Sequence, residues 1–197
     1  MSLNAIAVVG TGPAGLAIAT AVAEAELPVI AICVTGARQD LARKRLDKTL
    51  AMRVTLGELT LAEAKAIGDR VTFTRDLARV RDHDLVIEST VGDIRSRRAL
   101  LATVESSISR GAVLACNVER PDLARIAEVL ERKDQFIGLR FFHPATHTPL
   151  VEVMALPETA PGARFACETF CRWLGKTPVE HVEGDVAPVL GRKVAAL

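Results

Sequence analysis

The chain has 197 residues, of which 49% are apolar and 25% charged, so it can bury a sizeable core and is not a disordered segment. Its formal net charge is +1 and its aromatic content only 4%, which argues against a nucleic-acid binder with a basic, ring-studded face. Four cysteines (Cys33, Cys116, Cys167 and Cys171) show no CxxC spacing and no secretory signal accompanies them, so reduced thiols and a cytoplasmic location are expected.

Taken in chain order, Ala5 to Val9 is an apolar, β-branched run of the kind that forms a strand buried on both faces. Pro13 to Ala25 reads as a helix and Val29 to Val34 as a second buried strand. The whole opening is apolar enough to suggest a signal peptide or membrane span. No basic residue precedes it, however, and Gly10-Thr11-Gly12-Pro13 interrupts it, so two strands around a helix are expected and no membrane anchor. Arg38 to about Met52 is charged and helical, and Thr60 with Glu63 forms a capping box for another helix.

A strict alternation follows. Strands are expected at Val71–Thr74, Leu85–Ser89, Ala112–Cys116, Phe136–Phe142, about Leu150–Val153 and about Pro178–Val182. Between them lie a short helix at Asp76–Val80, longer helices at Ile94–Ser107 and from Pro121, and one from about Pro161 to Leu174. Cys167 and Cys171 fall on the apolar stripe of that last helix and read as core packing, not as a metal or redox pair. Helices between strands imply βαβ units. The expected fold is α/β: a Rossmann-like, doubly wound, mainly parallel sheet with helices on both faces, spanning residues 4–184. Residues 185–197 read as the start of a C-terminal helical domain that is missing or truncated, because the sequence stops without a helix cap.

Gly10, Thr11, Gly12, Pro13, Ala14 and Gly15 form G-x-G-x-x-G between the first strand and the first helix, where a dinucleotide pyrophosphate sits on a helix N-terminus. The carboxylate that would grip the adenosine ribose at the end of the second strand is absent, and Cys33 stands there. Arg38 either meets a 2′-phosphate, which favours NADP, or is a solvated charge at a helix start.

"DLVIESTVGDIRSRRALLATVE", "GAVLACNVERPDLARIAEV", "GLRFFHP", "LVEV" and "LGKTPVE", together with the glycine loop, resemble the NAD-binding domain of the 3-hydroxyacyl-CoA dehydrogenases over essentially the whole chain. The resemblance implies NAD as cofactor (with NADP left open), a hydroxyacyl thioester as substrate, fatty-acid metabolism and a homodimer built largely through a helical domain. It also implies a histidine, in His-Phe-Phe-Asn-Pro, that takes the substrate hydroxyl proton, oriented by the glutamate of Leu-Val-Glu-Val. Glu152 matches that glutamate and Asn117 the family asparagine, while Arg97 keeps the charge of a family lysine near the cofactor. Arg140 stands in place of the histidine and His143 in place of the asparagine that follows it. Glu119 replaces the family serine that bonds the substrate hydroxyl, Gly92 a glutamate near the cofactor, and Gly191 a later asparagine.

Arginine is effectively always protonated and is no general base. The expectation is therefore an oxidoreductase domain with a degenerate catalytic centre, in which Arg140 pairs with Glu152 as a clamp or binds an anion. His143 and His147 are candidates for rescue, against the simpler reading of loop histidines with backbone partners. The alternative is a noncatalytic dinucleotide- or acyl-CoA-binding module.

Overall fold

The computed structural model describes residues 3, 5–34 and 38–181, apart from the side chains of Arg38, Arg120 and His181. The expectations for residues 185–197, for Gly191 and for the Arg38 side chain lie outside these residues.

Among the described residues eight strands form one sheet: β1 (Ile6–Val9), β2 (Val29–Ile32), β3 (Val71–Thr74), β4 (Leu85–Glu88), β5 (Val113–Cys116), β6 (Phe136–Phe141), β7 (Leu150–Ala155) and β8 (Thr177–His181). Their order is β3-β2-β1-β4-β5-β6-β7-β8. The first six are mutually parallel, as the intervening helices require. β7 runs antiparallel to β6 because only residues 142–149 join them, too few for a crossover. A helix again separates β7 from β8, and that pair is parallel.

The helices are α1 (Pro13–Glu24), α2 (Arg38–Thr55), α3 (Leu61–Arg70), α4 (Ile94–Ser107), α5 (Arg120–Ala127) and α6 (Pro161–Trp173). Alternate strand residues face two cores. Ile6 and Val8 pack with α1, α2, α3 and α6, whereas Ala7 and Val9 pack with α4 and α5. The capping box is formed: the Thr60 hydroxyl accepts from the Glu63 N–H at 3.2 Å and the Glu63 carboxylate accepts from the Thr60 N–H at 2.7 Å. The short helix expected at Asp76–Val80 is a single 3-10 turn, Leu77–Val80, opened by Asp76 accepting from the Ala78 N–H at 3.0 Å. Four residues close too few bonds for an α-helix.

Cys167 and Cys171 are fully buried on α6. Burial pushes the Cys171 thiol up to about 12 and the Cys167 thiol well above its usual value, so both remain neutral and unreactive packing groups. α6 stops at Gly175, whose φ of +68° suits glycine, and its N–H bonds to the Arg172 carbonyl at 3.0 Å.

The chain leaves β1 towards α1 on one face and β4 towards α4 on the other. A crevice therefore opens at the carboxyl ends of these adjacent strands, the position where open α/β sheets bind ligands.

Candidate functional site: a dinucleotide cradle and a clamped arginine

The three glycines meet three different demands. Gly10 adopts φ +110°, and a Cβ there would lie 2.7 Å from the Ser89 carbonyl oxygen. A Cβ on Gly15 would lie 2.0 Å from the Gly10 carbonyl oxygen, so this position is set by close approach of backbone. A Cβ on Gly12, by contrast, would meet nothing within 4 Å. The space above Gly12 opens onto the N-terminus of α1, which has no side-chain cap and no acidic residue in its first turn. Unsatisfied N–H groups and the positive end of the helix dipole thus face an open concavity, which fits a pyrophosphate.

The residue after β2 does not fit the usual ribose grip. Cys33 is 2% exposed, and its sulfur accepts a hydrogen bond from the buried Thr11 hydroxyl at 3.5 Å. Placed against the cofactor in the sequence reading, it instead ties the glycine loop to the end of β2.

Behind the loop, β4 ends in Glu88, which has no solvent exposure. One of its oxygens accepts from the Thr90 N–H at 2.7 Å and from the Thr90 hydroxyl. The other accepts from Arg97 Nη2 at 2.5 Å, Arg97 Nε at 3.1 Å and the Cys116 thiol at 3.1 Å. Arg97 also donates to the Asn117 carbonyl at 2.9 Å. The sequence reading set Arg97 beside the cofactor. In the structure its guanidinium is directed into this ion pair, because Glu88 would otherwise be an uncompensated buried charge. Burial acts to lower the Arg97 pKa, and Cys116 and Glu88 more than offset it, leaving it raised. Burial, reinforced by Glu88, pushes the Cys116 thiol well up. Glu88 went unnoticed in the sequence, where its only signal is a carboxylate ending an otherwise apolar run.

The Asn117 carboxamide is used on both sides, donating to the Ser89 hydroxyl at 3.0 Å and accepting from the Phe141 N–H at 3.1 Å. It stitches together the ends of β4, β5 and β6, along which the site residues project.

At the end of β6, Arg140 lies directly opposite Glu152 of β7 in the antiparallel register. Arg140 Nη1 is 3.4 Å from a Glu152 carboxylate oxygen and Nη2 is 3.2 Å from Glu119, at the start of α5. The guanidinium carbon stands 4.9 Å from the centre of the Phe142 ring. The guanidinium is thus held between two carboxylates and an aromatic face.

His143 lies beyond the end of β6. Among the described residues no hydrogen bond joins it to Glu152, and it lines a cavity of about 440 Å³ beside α1 and α2. Leu16, Ala17, Leu46, Met52 and Leu56 supply apolar walls, with Arg45, Lys48 and Arg53 among the charged lining residues. His147, also on this wall, sits 3.4 Å from Glu58, whose carboxyl is held below its usual range by a hydrogen bond from Arg53. The cavity combines residues far apart in sequence, so no single stretch signals it. No group of residues suited to hold a metal ion is found among those described.

Residues 5–185 match the model of the 3-hydroxyacyl-CoA dehydrogenase NAD-binding domain. The chain is 31% identical over 177 residues to the fatty acid oxidation complex subunit alpha of Psychrobacter cryohalolentis, a match covering 90% of this chain and 25% of that one. It therefore spans about a quarter of the length of this curated relative. Among solved structures, FadB2 of M. tuberculosis superposes with a TM-score of 0.88 at 29% identity, covering all of this chain and 73% of that one. The 3-hydroxybutyryl-CoA dehydrogenase of Escherichia coli K12 gives 0.85 at 26% identity, over 91% of this chain and 38% of that one. With its glycine cradle, its strand order and a family match over nearly all of its length, the chain belongs to the NAD-binding domains of the 3-hydroxyacyl-CoA dehydrogenase family.

Proposed function

We propose that this chain is the NAD(H)-binding domain of a 3-hydroxyacyl-thioester oxidoreductase whose acid–base couple has been replaced by an arginine clamp. The bound nicotinamide supplies the hydride acceptor or donor. The chain's own residues hold the pyrophosphate through the α1 N-terminus and the Gly12 space. The cavity between α1, α2 and the His143 loop suits an acyl thioester, with apolar walls for the chain and Arg45 and Lys48 for phosphate charge. Fatty-acid oxidation is the setting that the Psychrobacter relative's name supplies.

The single observation that carries the degenerate centre is Arg140 between Glu152 and Glu119. A positioned base contributes about two to four orders of magnitude in rate, and a guanidinium contributes none of that. It retains the ability to stabilise an alkoxide electrostatically, so a slow residual reaction is expected.

The test is to titrate wild-type protein and Arg140→His with NADH, then to measure single-turnover reduction of a 3-ketoacyl-CoA. NADH affinity should be the same in both, because Arg140 is not part of the pyrophosphate cradle. Hydride transfer should rise by about tenfold or more in Arg140→His, the part of the base contribution recoverable while Glu119 remains in place of the family serine. Equal, measurable rates of transfer in the two proteins would show that Arg140 does not occupy the position of the base. The same clamp favours one second reading, a noncatalytic dinucleotide sensor, which predicts NADH binding with no transfer in either protein.

A further inference from the structure

The end of β2 and the start of the segment after β3 lie side by side. The Cys33 N–H donates to the Thr74 carbonyl at 2.8 Å, so the residue following Thr74 borders the place where a dinucleotide fold holds its adenosine ribose. That residue is Arg75. It is exposed and has no carboxylate partner among the described residues. Two other described donors from this corner are engaged. Gln39 donates to the Phe73 carbonyl at 3.1 Å, and Arg43 donates to the carbonyls of Gly68 and Val71 while lying 4.8 Å over the Phe73 ring. Of the acidic groups on these segments, Asp76 is turned to the Ala78 N–H and Asp40 is exposed in the first turn of α2. Cys33 places no negative charge at the ribose and is itself sequestered by Thr11.

We propose that Arg75 is a recognition site for the adenosine 2′-phosphate, and that the domain binds NADP(H) at least as tightly as NAD(H). The proposal rests on the dinucleotide reading of the cradle and extends it to the residue that reads the ribose. A carboxylate after β2 would accept both ribose hydroxyls and repel a 2′-phosphate. Its replacement by a buried thiol removes both effects, and the guanidinium of Arg75, just past the end of β3 and without a carboxylate partner among the described residues, adds a charge-assisted contact to the phosphate.

The experiment is calorimetric titration of the whole chain with NADP+, NAD+, 2′,5′-ADP and 5′-ADP, for wild type, Arg75→Ala and Cys33→Asp. Wild type should bind NADP+ as tightly as NAD+ or more so, and 2′,5′-ADP more tightly than 5′-ADP. Arg75→Ala should weaken both 2′-phosphorylated ligands by about tenfold and leave NAD+ and 5′-ADP unchanged. Cys33→Asp should reverse the preference. NAD+ binding with NADP+ more than about tenfold weaker, or NADP+ affinity indifferent to Arg75→Ala, would overturn the proposal while leaving the cradle intact. Failure of every one of these ligands to bind would remove the cofactor reading, and this proposal with it.

Discussion

Gly12→Asp should weaken NAD(H) binding by roughly 100-fold while leaving the fold as stable as before, or slightly more so. The two effects have opposite signs because they arise on different sides of one residue. In the folded chain Gly12 has φ −69° and ψ 180°, extended backbone open to any residue, and a Cβ there meets nothing within 4 Å. Aspartate is also a favoured N-cap, worth a few tenths of a kcal/mol over glycine. In the complex, the same carboxylate would fill the space of the pyrophosphate and set negative charge against it. Losing that charge-assisted contact costs about 3 kcal/mol, or roughly 100-fold in Kd. Thermal unfolding and NADH titration on one preparation check both halves. Undiminished affinity in the variant would place the cofactor elsewhere, and a large fall in Tm would mean that Gly12 serves the fold.

The second large effect is one of stability. Glu88→Ala leaves the Arg97 guanidinium, 12% exposed, without its carboxylate, and strips the acceptor from the Thr90 N–H. Breaking a buried pair from one side costs about 3–5 kcal/mol, here a Tm drop of roughly 10 °C. The double change Glu88→Leu with Arg97→Met removes both charges and should recover most of that loss, since the penalty comes from the orphaned partner. NADH affinity should fall in Glu88→Ala, because the Ser89–Thr90 segment that it anchors packs against Gly10. A single variant as stable as wild type would mean that water reaches Arg97 freely.

Much of the fold was legible because its signals are local. Val71–Thr74 and Ile94–Ser107 are found at the expected bounds, since an apolar run or a helical stripe needs no distant partner to be read. The glycine loop was legible because its spacing is contained in one stretch, although only Gly15 is set by the turn itself: Gly10 is crowded by Ser89 and Gly12 faces open space. Arg140 opposite Glu152 is a cross-strand neighbour that the motif order already brought close.

What was hidden depends on long-range partners. Glu88 reads as the polar end of a strand until Arg97 and Cys116 are brought to it across the sheet. Cys33 looks available to a cofactor until Thr11 covers it. Arg97 carries the family's charge, yet its direction is decided by a carboxylate nine residues earlier. The cavity joins α1, α2 and the His143 loop, and no single stretch announces it.

In the proposed function, an intact cofactor cradle adjoins a guanidinium that stands in the place of the family's base. The most direct test is the pH dependence of single-turnover hydride transfer from NADH to a 3-ketoacyl-CoA in the wild-type chain. With a guanidinium in the place of the family's imidazole, transfer should be slow and without an inflection between about pH 6 and 9. His143→Ala and His147→Ala, which alter the lining of the proposed acyl-thioester cavity, should change the 3-ketoacyl-CoA concentration required but not the transfer rate at saturation. Fast transfer at saturating substrate with an inflection near the imidazole value of about 6.5, abolished by either histidine substitution, would contradict this by showing that the loop supplies the acid that protonates the forming alkoxide.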